Sequence, residues 1–280
     1  MLPRVEVKRD DACAGVVRRR RRRASAFVLL FITAAVLACR TSHLPDAGTR
    51  RSSDRALPID LGVGSGVAIV SRDRAAQVFA RGDSADRVSS GEDVVDVVTL
   101  LAALRTHVLD ERAIHHCNGL NCTRVHGDVT PARALAVGCL HFFDDLATRV
   151  GPDALAAAFL TLGVTPPAIP SERGARVRLA ARGEGWMLSP RDALRLARGL
   201  RDRPAPWSDA IDLGLRSEAA AAAGLRGKSG GSGEMSGWFV GYAETADRPL
   251  IAVRVARCIE SCADRAVAVA QWALRQRAPR

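Results

Sequence analysis

Residues 225–255 read LRGKSGGSGEMSGWFVGYAETADRPLIAVRV, and this stretch predicts three short strands separated by Gly-rich or polar turns. The middle segment, residues 237–244, carries the aromatic and β-branched side chains that suit a pleated, half-buried surface. The last segment, residues 250–255, is almost entirely apolar. The stretch therefore predicts a small antiparallel sheet near the end of the chain.

The first of these strands ends in Lys228, Ser229 and Gly230. An ammonium, a hydroxyl donor and an accessible backbone at a strand end can line a cleft that binds an anion. The alternative is a polar hairpin whose lysine is solvated. Among 41 Lys plus Arg only Lys8 and Lys228 are lysine, and this bias favours a requirement for a compact ammonium in the motif.

The charge of the chain is concentrated at its beginning. The net charge is +11, but residues 1–38 hold nine basic and three acidic residues, so the remainder carries +5 with mixed signs. No aromatic RNA-binding motif or zinc-finger spacing is present, and we expect no nucleic-acid partner. A chain of 280 residues that is 48% hydrophobic can bury a sizeable core.

Residues 1–39 have the parts of an export signal. Six arginines, residues 18–23, precede an apolar run at residues 24–38, which is shorter than the roughly 20 residues that span a bilayer. The run ends at Cys39 in a sequence that resembles the lipobox of bacterial lipoproteins. We therefore expect a cell-envelope protein lipidated at Cys39. A cleaved periplasmic product and an uncleaved signal anchor are the alternatives, and either anchor would make the membrane a partner.

The rest of the chain predicts one α+β domain. Residues 40–57 read as a polar tether and residues 58–280 as the domain. A central antiparallel sheet would be built from both chain ends and flanked by helices, with a helical subdomain inserted between them. Strands are expected at 66–70 and 75–80, helices at 94–109, 130–150, 153–162, 189–200, 217–223 and 261–275, and a loop with strand fragments at 163–188.

Cysteine spacing gives two candidate disulfides, because export would place the chain in an oxidising compartment. Cys117 with Cys122 and Cys258 with Cys262 are the close pairs, and Cys139 is left over, although other connectivities stay open.

A zinc site from Cys117, Cys122, His115, His116 and His126 is the alternative. The spacing of these residues matches no closed zinc site, so we expect disulfides or free thiols, with no metal and no other cofactor.

Several motifs in order resemble the penicillin-recognising serine transpeptidase superfamily, which includes penicillin-binding proteins and class D β-lactamases. Lys228–Gly230 followed by residues 236–242 is similar to its Lys-Thr/Ser-Gly strand and Trp-Phe strand. Ser189-Pro190 resembles its Ser-Pro helix, and residues 126–140 resemble its His-Gly … Ser-Cys-Asn segment. Residues 90–104 fall where the family has Ser-x-x-Lys at the start of a helix. The resemblance covers roughly residues 60–275 and implies a β-lactamase/transpeptidase-like fold.

The same comparison implies that the acylation chemistry is lost. That chemistry needs a serine one helical turn before a lysine that takes its proton. The matching positions here are Glu92 and Val95, and no displaced copy exists, since Lys228 is the only lysine after residue 8. The Ser-x-Asn motif is likewise replaced by Gly138 and Leu140.

Two functions follow from this resemblance. The first is a catalytically inactive binding or scaffold protein at the cell wall, which would bind a peptidoglycan stem peptide or a β-lactam weakly through Lys228, unless Glu92 pairs with that lysine. The second is an active transpeptidase, carboxypeptidase or β-lactamase with a non-standard nucleophile. Its candidate nucleophiles and bases are Ser89, Ser90 and Cys139 with Lys228, His126 or His141. A third reading is a basic surface protein that binds nucleic acid or an anionic envelope polymer through arginine patches.

Overall fold

The computed structural model describes residues 55–72, 75–203, 208–233 and 235–276. The predicted signal segment and the lipidation site Cys39 lie outside these residues. Within the described part of the chain, no helix combines the length and the hydrophobicity needed to cross a membrane.

The central sheet has six strands in the order β1-β3-β2-β10-β9-β8, and all neighbours are antiparallel except β1 and β3. Short two-stranded sheets pair β4 with β7 and β5 with β6. The strands are β1 (Arg55–Ala56), β2 (Val63–Arg72), β3 (Ala75–Arg81), β4 (Ser89–Ser90), β5 (His115–Cys117), β6 (Gly127–Val129), β7 (Met187–Leu188), β8 (Leu225–Gly231), β9 (Ser236–Ala243) and β10 (Leu250–Cys258).

Helices surround this sheet, and several begin at a Ser or Thr whose side chain accepts a hydrogen bond from a backbone N–H of the first turn. Short 3-10 turns cover Ile59–Leu61 and Glu92–Val95. The helices are α1 (Asp96–Arg105), α2 (Pro131–Val137), α3 (Leu140–Arg149), α4 (Pro152–Thr161), α5 (Arg173–Arg182), α6 (Pro190–Asp202), α7 (Asp209–Gly214), α8 (Glu218–Ala222) and α9 (Cys262–Arg275).

Strand β9 divides the core into two layers because its side chains alternate between the faces of the sheet. Trp238, Val240 and Tyr242 pack with the buried residues of α1 to α6 in one cluster. Phe239 and Ala243 point the other way and pack with α9. The α+β architecture with an antiparallel sheet built from both ends of the chain is therefore confirmed.

The predicted helix 130–150 is wrong as a single element. It is interrupted at Gly138, which ends α2 with a φ of 62°, and α3 then starts at Leu140. Glycine adopts this left-handed backbone without the steric cost of a Cβ. The break turns the chain and places residues 138–140 against the sheet.

Two further boundaries differ from the sequence prediction. Helix α5 occupies part of the region assigned to a loop, and it is capped by Glu172, whose carboxylate accepts hydrogen bonds from two backbone N–H groups of the first turn. The tether also ends earlier than predicted. Arg55–Ala56 pairs with β3, and Leu57 is buried in the core, so the domain includes residues assigned to the tether.

Candidate functional site

Lys228 lies on β8 opposite Val240 of β9, and its side chain is almost completely buried. Its Nζ is 2.9 Å from Oδ2 of Asp96, the first residue of α1, and donates a hydrogen bond of 3.3 Å to the carbonyl oxygen of Leu135. The ammonium therefore faces the start of a helix, and Asp96 is the carboxyl that contacts it.

Two carboxylates, Asp93 and Asp96, point from the beginning of α1 towards β8. Their spacing of three residues places both on one face of the helical turn. Oδ2 of Asp93 accepts a hydrogen bond of 3.3 Å from the backbone N–H of Gly231, next to the contact between Asp96 and Lys228. Gly230 is packed so closely that an added Cβ would lie 2.5 Å from Cβ of Asp93. The carboxyl groups of Asp93 and Asp96 therefore connect the helical turns at residues 92–96 to strand β8.

The residues at this contact, Asp93 and Asp96, each lie one position after the predicted cleft residues Glu92 and Val95. Val95 is fully buried in the hydrophobic core, and Glu92 accepts a hydrogen bond from the hydroxyl of Ser236. The physical reason is local: Glu92 has a φ of 45° and opens a 3-10 turn, which has three residues per turn, so the helical phase differs from that of an α-helix started at Glu92. Burial raises the pKa of Glu92 above its usual value.

The sequence does contain a signal that Asp96 faces the site. Asp96 stands inside an apolar helix among valines and leucines, and an acid at a fully buried position needs a cationic partner. Lys228 is the one lysine that the domain offers. Pairing the buried acid with the unique lysine would have identified both residues.

The remaining predicted cleft residues lie around this contact. A Cβ added to Gly138 would be 3.5 Å from Nζ of Lys228, so the break between α2 and α3 adjoins the lysine. Gly138, Leu140, Ser229 and Gly230 all line one cavity of about 1010 Å³. The structure thus brings together every predicted cleft residue except Glu92 and Val95.

The cavity wall carries both signs of charge. Its charged lining residues are Asp93, Asp96, Glu218, Asp264, Arg124, Arg133 and Arg216. Burial raises the pKa of Asp96 to about 7, although the nearby charge of Lys228 acts to lower it. A ligand in this cavity would meet a carboxyl group where the sequence predicted an exposed ammonium.

Within the described part of the chain, neither serine considered as an alternative nucleophile is hydrogen-bonded to a base. The hydroxyl of Ser89 accepts a hydrogen bond of 2.6 Å from Nε of Arg254, a group that cannot take a proton. The hydroxyl of Ser90 accepts one of 3.3 Å from the backbone N–H of Glu92. Neither contact can activate a hydroxyl for attack.

The thiol and histidines of the same hypothesis lie elsewhere. Cys139 is fully buried, with its Sγ 3.9 Å from Sγ of Cys122. Nδ1 of His126 is 3.6 Å from Sγ of Cys117, and His141 contacts the ring of His115. These groups form a second cluster, next to Gly138, and Cys122 of this cluster lines the same cavity.

Of the two predicted disulfides, the structure contains the one between Cys258 and Cys262, whose Cα atoms are 5.3 Å apart. The predicted bond between Cys117 and Cys122 is wrong, because their sulfurs are separate thiols 3.7 Å apart. Both belong to the cluster with His126 and Cys139.

No protein-family model and no curated protein sequence matches the chain. Several solved structures do match it. The class D β-lactamase YbXI from Nostoc superposes with a TM-score of 0.59 at 19% identity over 78% of this chain and 93% of its own. The C-terminal domain of the Bacillus licheniformis BlaR penicillin receptor superposes with a TM-score of 0.61 at 16% identity, over 79% of this chain and 95% of its own.

A class D β-lactamase from Bacillus subtilis gives a TM-score of 0.57 at 18% identity, over 77% of this chain and 93% of its own. All three neighbours are covered almost completely, so the similarity extends over the whole domain and is not confined to one motif. The chain therefore has the fold that class D β-lactamases share with the BlaR penicillin-receptor domain, as its motifs predicted.

Proposed function

We propose that this protein is a non-acylating domain with a β-lactamase-like fold, which acts as a binding or scaffold protein in the cell envelope. The observation that carries this proposal is the pair of carboxylates, Asp93 and Asp96, at the start of α1. They occupy the helical face where acylation would need a hydroxyl and an amine one turn apart.

The chemistry of these carboxylates opposes acyl transfer. Acylation requires a nucleophile with an adjacent base, and it builds negative charge on an oxygen that must be stabilised by N–H donors. Here the N–H of Gly231 is occupied by the carboxylate of Asp93. Lys228 contacts Asp96, so its amine is held away from any hydroxyl. Negative charge at both positions would destabilise the oxyanion of a transition state.

Any ligand is expected to bind reversibly. By resemblance it would be the carboxylate of a peptidoglycan stem peptide or of a β-lactam. Because Lys228 is buried against Asp96, the cations left for such a carboxylate are the cavity arginines Arg124 and Arg133, since Arg216 is paired with Glu244. Solvated arginines contribute little to affinity, and we expect weak binding.

The test is incubation of the purified full-length protein with a fluorescent penicillin, followed by a denaturing gel and intact mass, with the Bacillus subtilis class D β-lactamase as the positive control. We expect no covalent adduct. A small rise in the melting temperature without an adduct would support reversible binding. A covalent adduct would refute the proposal and support an active transpeptidase, carboxypeptidase or β-lactamase.

Export is the second part of the proposal, and it rests on residues 1–39 of the sequence. We propose that Cys39 is lipidated and anchors the domain to a membrane. A Cys39→Ser variant should then leave the membrane fraction, and labelled fatty acid should enter the wild type alone. Wild type that stays in the soluble fraction without label would contradict lipidation.

A further inference from the structure

A compact group of sulfur and nitrogen atoms lies at one wall of the cleft, which Cys122 lines. It consists of Cys117 at the end of β5, Cys122 and His126 in the loop before β6, and Cys139 just before α3. Their ligand atoms all lie within 4.8 Å of one another. The hairpin formed by β5 and β6 and the turn before α3 therefore converge on one point, and both provide side chains that can bind a transition metal.

Three of the six distances inside the group match a tetrahedral metal ion, and the others are at most 4.8 Å. With Zn–S bonds of about 2.3 Å and Zn–N bonds of about 2.0–2.1 Å, tetrahedral angles require about 3.8 Å between sulfurs and about 3.5 Å between sulfur and nitrogen. The structure has Sγ–Sγ distances of 3.7 Å for Cys117 to Cys122 and 3.9 Å for Cys122 to Cys139. Sγ of Cys117 is 3.6 Å from Nδ1 of His126. A disulfide would need about 2.05 Å.

The surroundings of the group suit a structural site with no open coordination position. Cys117 and Cys139 are buried, and Cys122 and His126 are partly exposed. The backbone N–H of His141 is 3.3 Å from Sγ of Cys122 and can donate to a thiolate there. Four protein ligands complete the tetrahedron, which is the arrangement of structural zinc sites.

We propose that Cys117, Cys122, His126 and Cys139 bind one structural Zn²⁺ ion. On binding, the three thiols release their protons to solvent and the histidine binds through Nδ1 as the neutral ring. This proposal departs from the expectation from sequence that the chain holds no metal, and it is independent of the proposed function.

The position of this site links it to the cleft. Residues 121–124 of the ligand-bearing loop line the same cavity as Gly138 and Leu140, the residues that flank Cys139. The ion would therefore fix the loop against α3 and set the shape of one cavity wall. Without it, that wall is held by hydrogen bonds and packing alone, and we expect it to be mobile.

The test uses the full chain with Cys13→Ser and Cys39→Ser, so that the free thiols counted are those of the cluster. The protein is purified with zinc present, and its metal content and its native and denatured thiols are measured. We expect about one zinc per chain, protected thiols in the native protein, and three thiols after denaturation with a chelator. Replacement by Co²⁺ should give thiolate charge-transfer bands and the intense visible bands of a tetrahedral site.

Two variants and one control complete the design. Cys122→Ser and His126→Ala should each lose zinc or weaken its binding at least tenfold, and His126→Ala keeps all three thiols if the serine variant fails to fold. His116→Ala is the matched control, since His116 is exposed, lies beside the cluster and contacts Asp128. It should retain the metal. Protein with three reactive thiols and no zinc, or with one thiol and a Cys117–Cys122 disulfide, would overturn the proposal.

Discussion

Replacing Asp96 with asparagine should make the protein relatively more stable as the pH rises. Burial raises the pKa of Asp96 to about 7, against an ordinary value of 3.8, despite the opposing effect of Lys228. A carboxyl that holds its proton more tightly in the folded chain contributes stability that is fully present below pH 3.8. That contribution is lost as the pH rises through 7. Asparagine resembles the protonated acid and does not titrate.

The size of the effect follows from the two pKa values. Each unit of difference between the folded and unfolded pKa of Asp96 corresponds to about 1.4 kcal/mol. The free energy of unfolding of the wild type should therefore fall by about 3 kcal/mol relative to that of Asp96→Asn between pH 5 and pH 8. For a domain of this size, 1 kcal/mol shifts the melting temperature by roughly 2–4 °C. The difference in melting temperature between the two proteins should therefore change by roughly 6–12 °C.

The assay is thermal or urea unfolding of both proteins at several pH values from 5 to 8. Asp86→Asn is the matched control, because Asp86 is an exposed carboxylate whose pKa is lowered by its hydrogen bond and charge interaction with Arg191. A lowered pKa gives stability that is lost only as the pH falls below the usual range. The control variant should therefore keep a constant difference from the wild type across this pH window.

The opposite trend would refute the reasoning. If Asp96→Asn becomes less stable relative to the wild type as the pH rises, the carboxylate is stabilised by Lys228 more than it is penalised by burial. The variant would then lose the 3–5 kcal/mol that is typical when one partner of a buried ion pair is removed. A flat difference would place the pKa of Asp96 near its ordinary value.

Three further predictions concern stability. Lys228→Met should raise the pKa of the adjacent carboxyl further, so urea unfolding should reveal an extra loss of about 1 kcal/mol at pH 8 that is absent at pH 5. Gly91→Ala should cost about 1–3 kcal/mol, because the added Cβ would lie 2.3 Å from Cε3 of Trp186, whereas Gly151→Ala, with nothing within 4 Å, should change the melting temperature little. Cys258→Ser should cost about 2 kcal/mol through loss of a short disulfide loop, and wild type measured in a reductant should match it; an unchanged melting temperature would show that the disulfide contributes nothing.

The sheet could be predicted from sequence because its signals are local. Alternating aromatic and β-branched residues define β9, and Gly-rich turns bound β8. Helix α5 was missed because its sequence is dominated by arginine and has little apolar periodicity, so its existence depends on packing of its few buried residues against α1 and α3.

The sequence predicted the strand and the glycine turn of the site, but not the two carboxylates that face them. Lys228 could be identified because it is the domain's one lysine, and Gly138 because a motif precedes it. The positions of Asp93 and Asp96 depend on a 3-10 turn opened by the positive φ of Glu92, and the one sequence signal for them is the acid Asp96 inside an apolar helix. The cysteine group could not be predicted from local sequence either, because Cys139 is brought to the loop of Cys122 and His126 by the turn at Gly138.

Residues 138–140 lie between the cleft and the cysteine group. Gly138 adjoins Lys228, Cys139 belongs to the cysteine group, and Leu140 lines the cavity. A serine at 138 would be close enough to contact the lysine, but the left-handed φ of 62° costs a non-glycine residue roughly 1–2 kcal/mol. With no hydroxyl there, Lys228 has the carbonyl of Leu135 and the carboxyl of Asp96 as its contacts. Restoring a hydroxyl alone would leave that carboxyl in place, so the absence of acylation that we propose would depend on the whole arrangement and not on residue 138 alone.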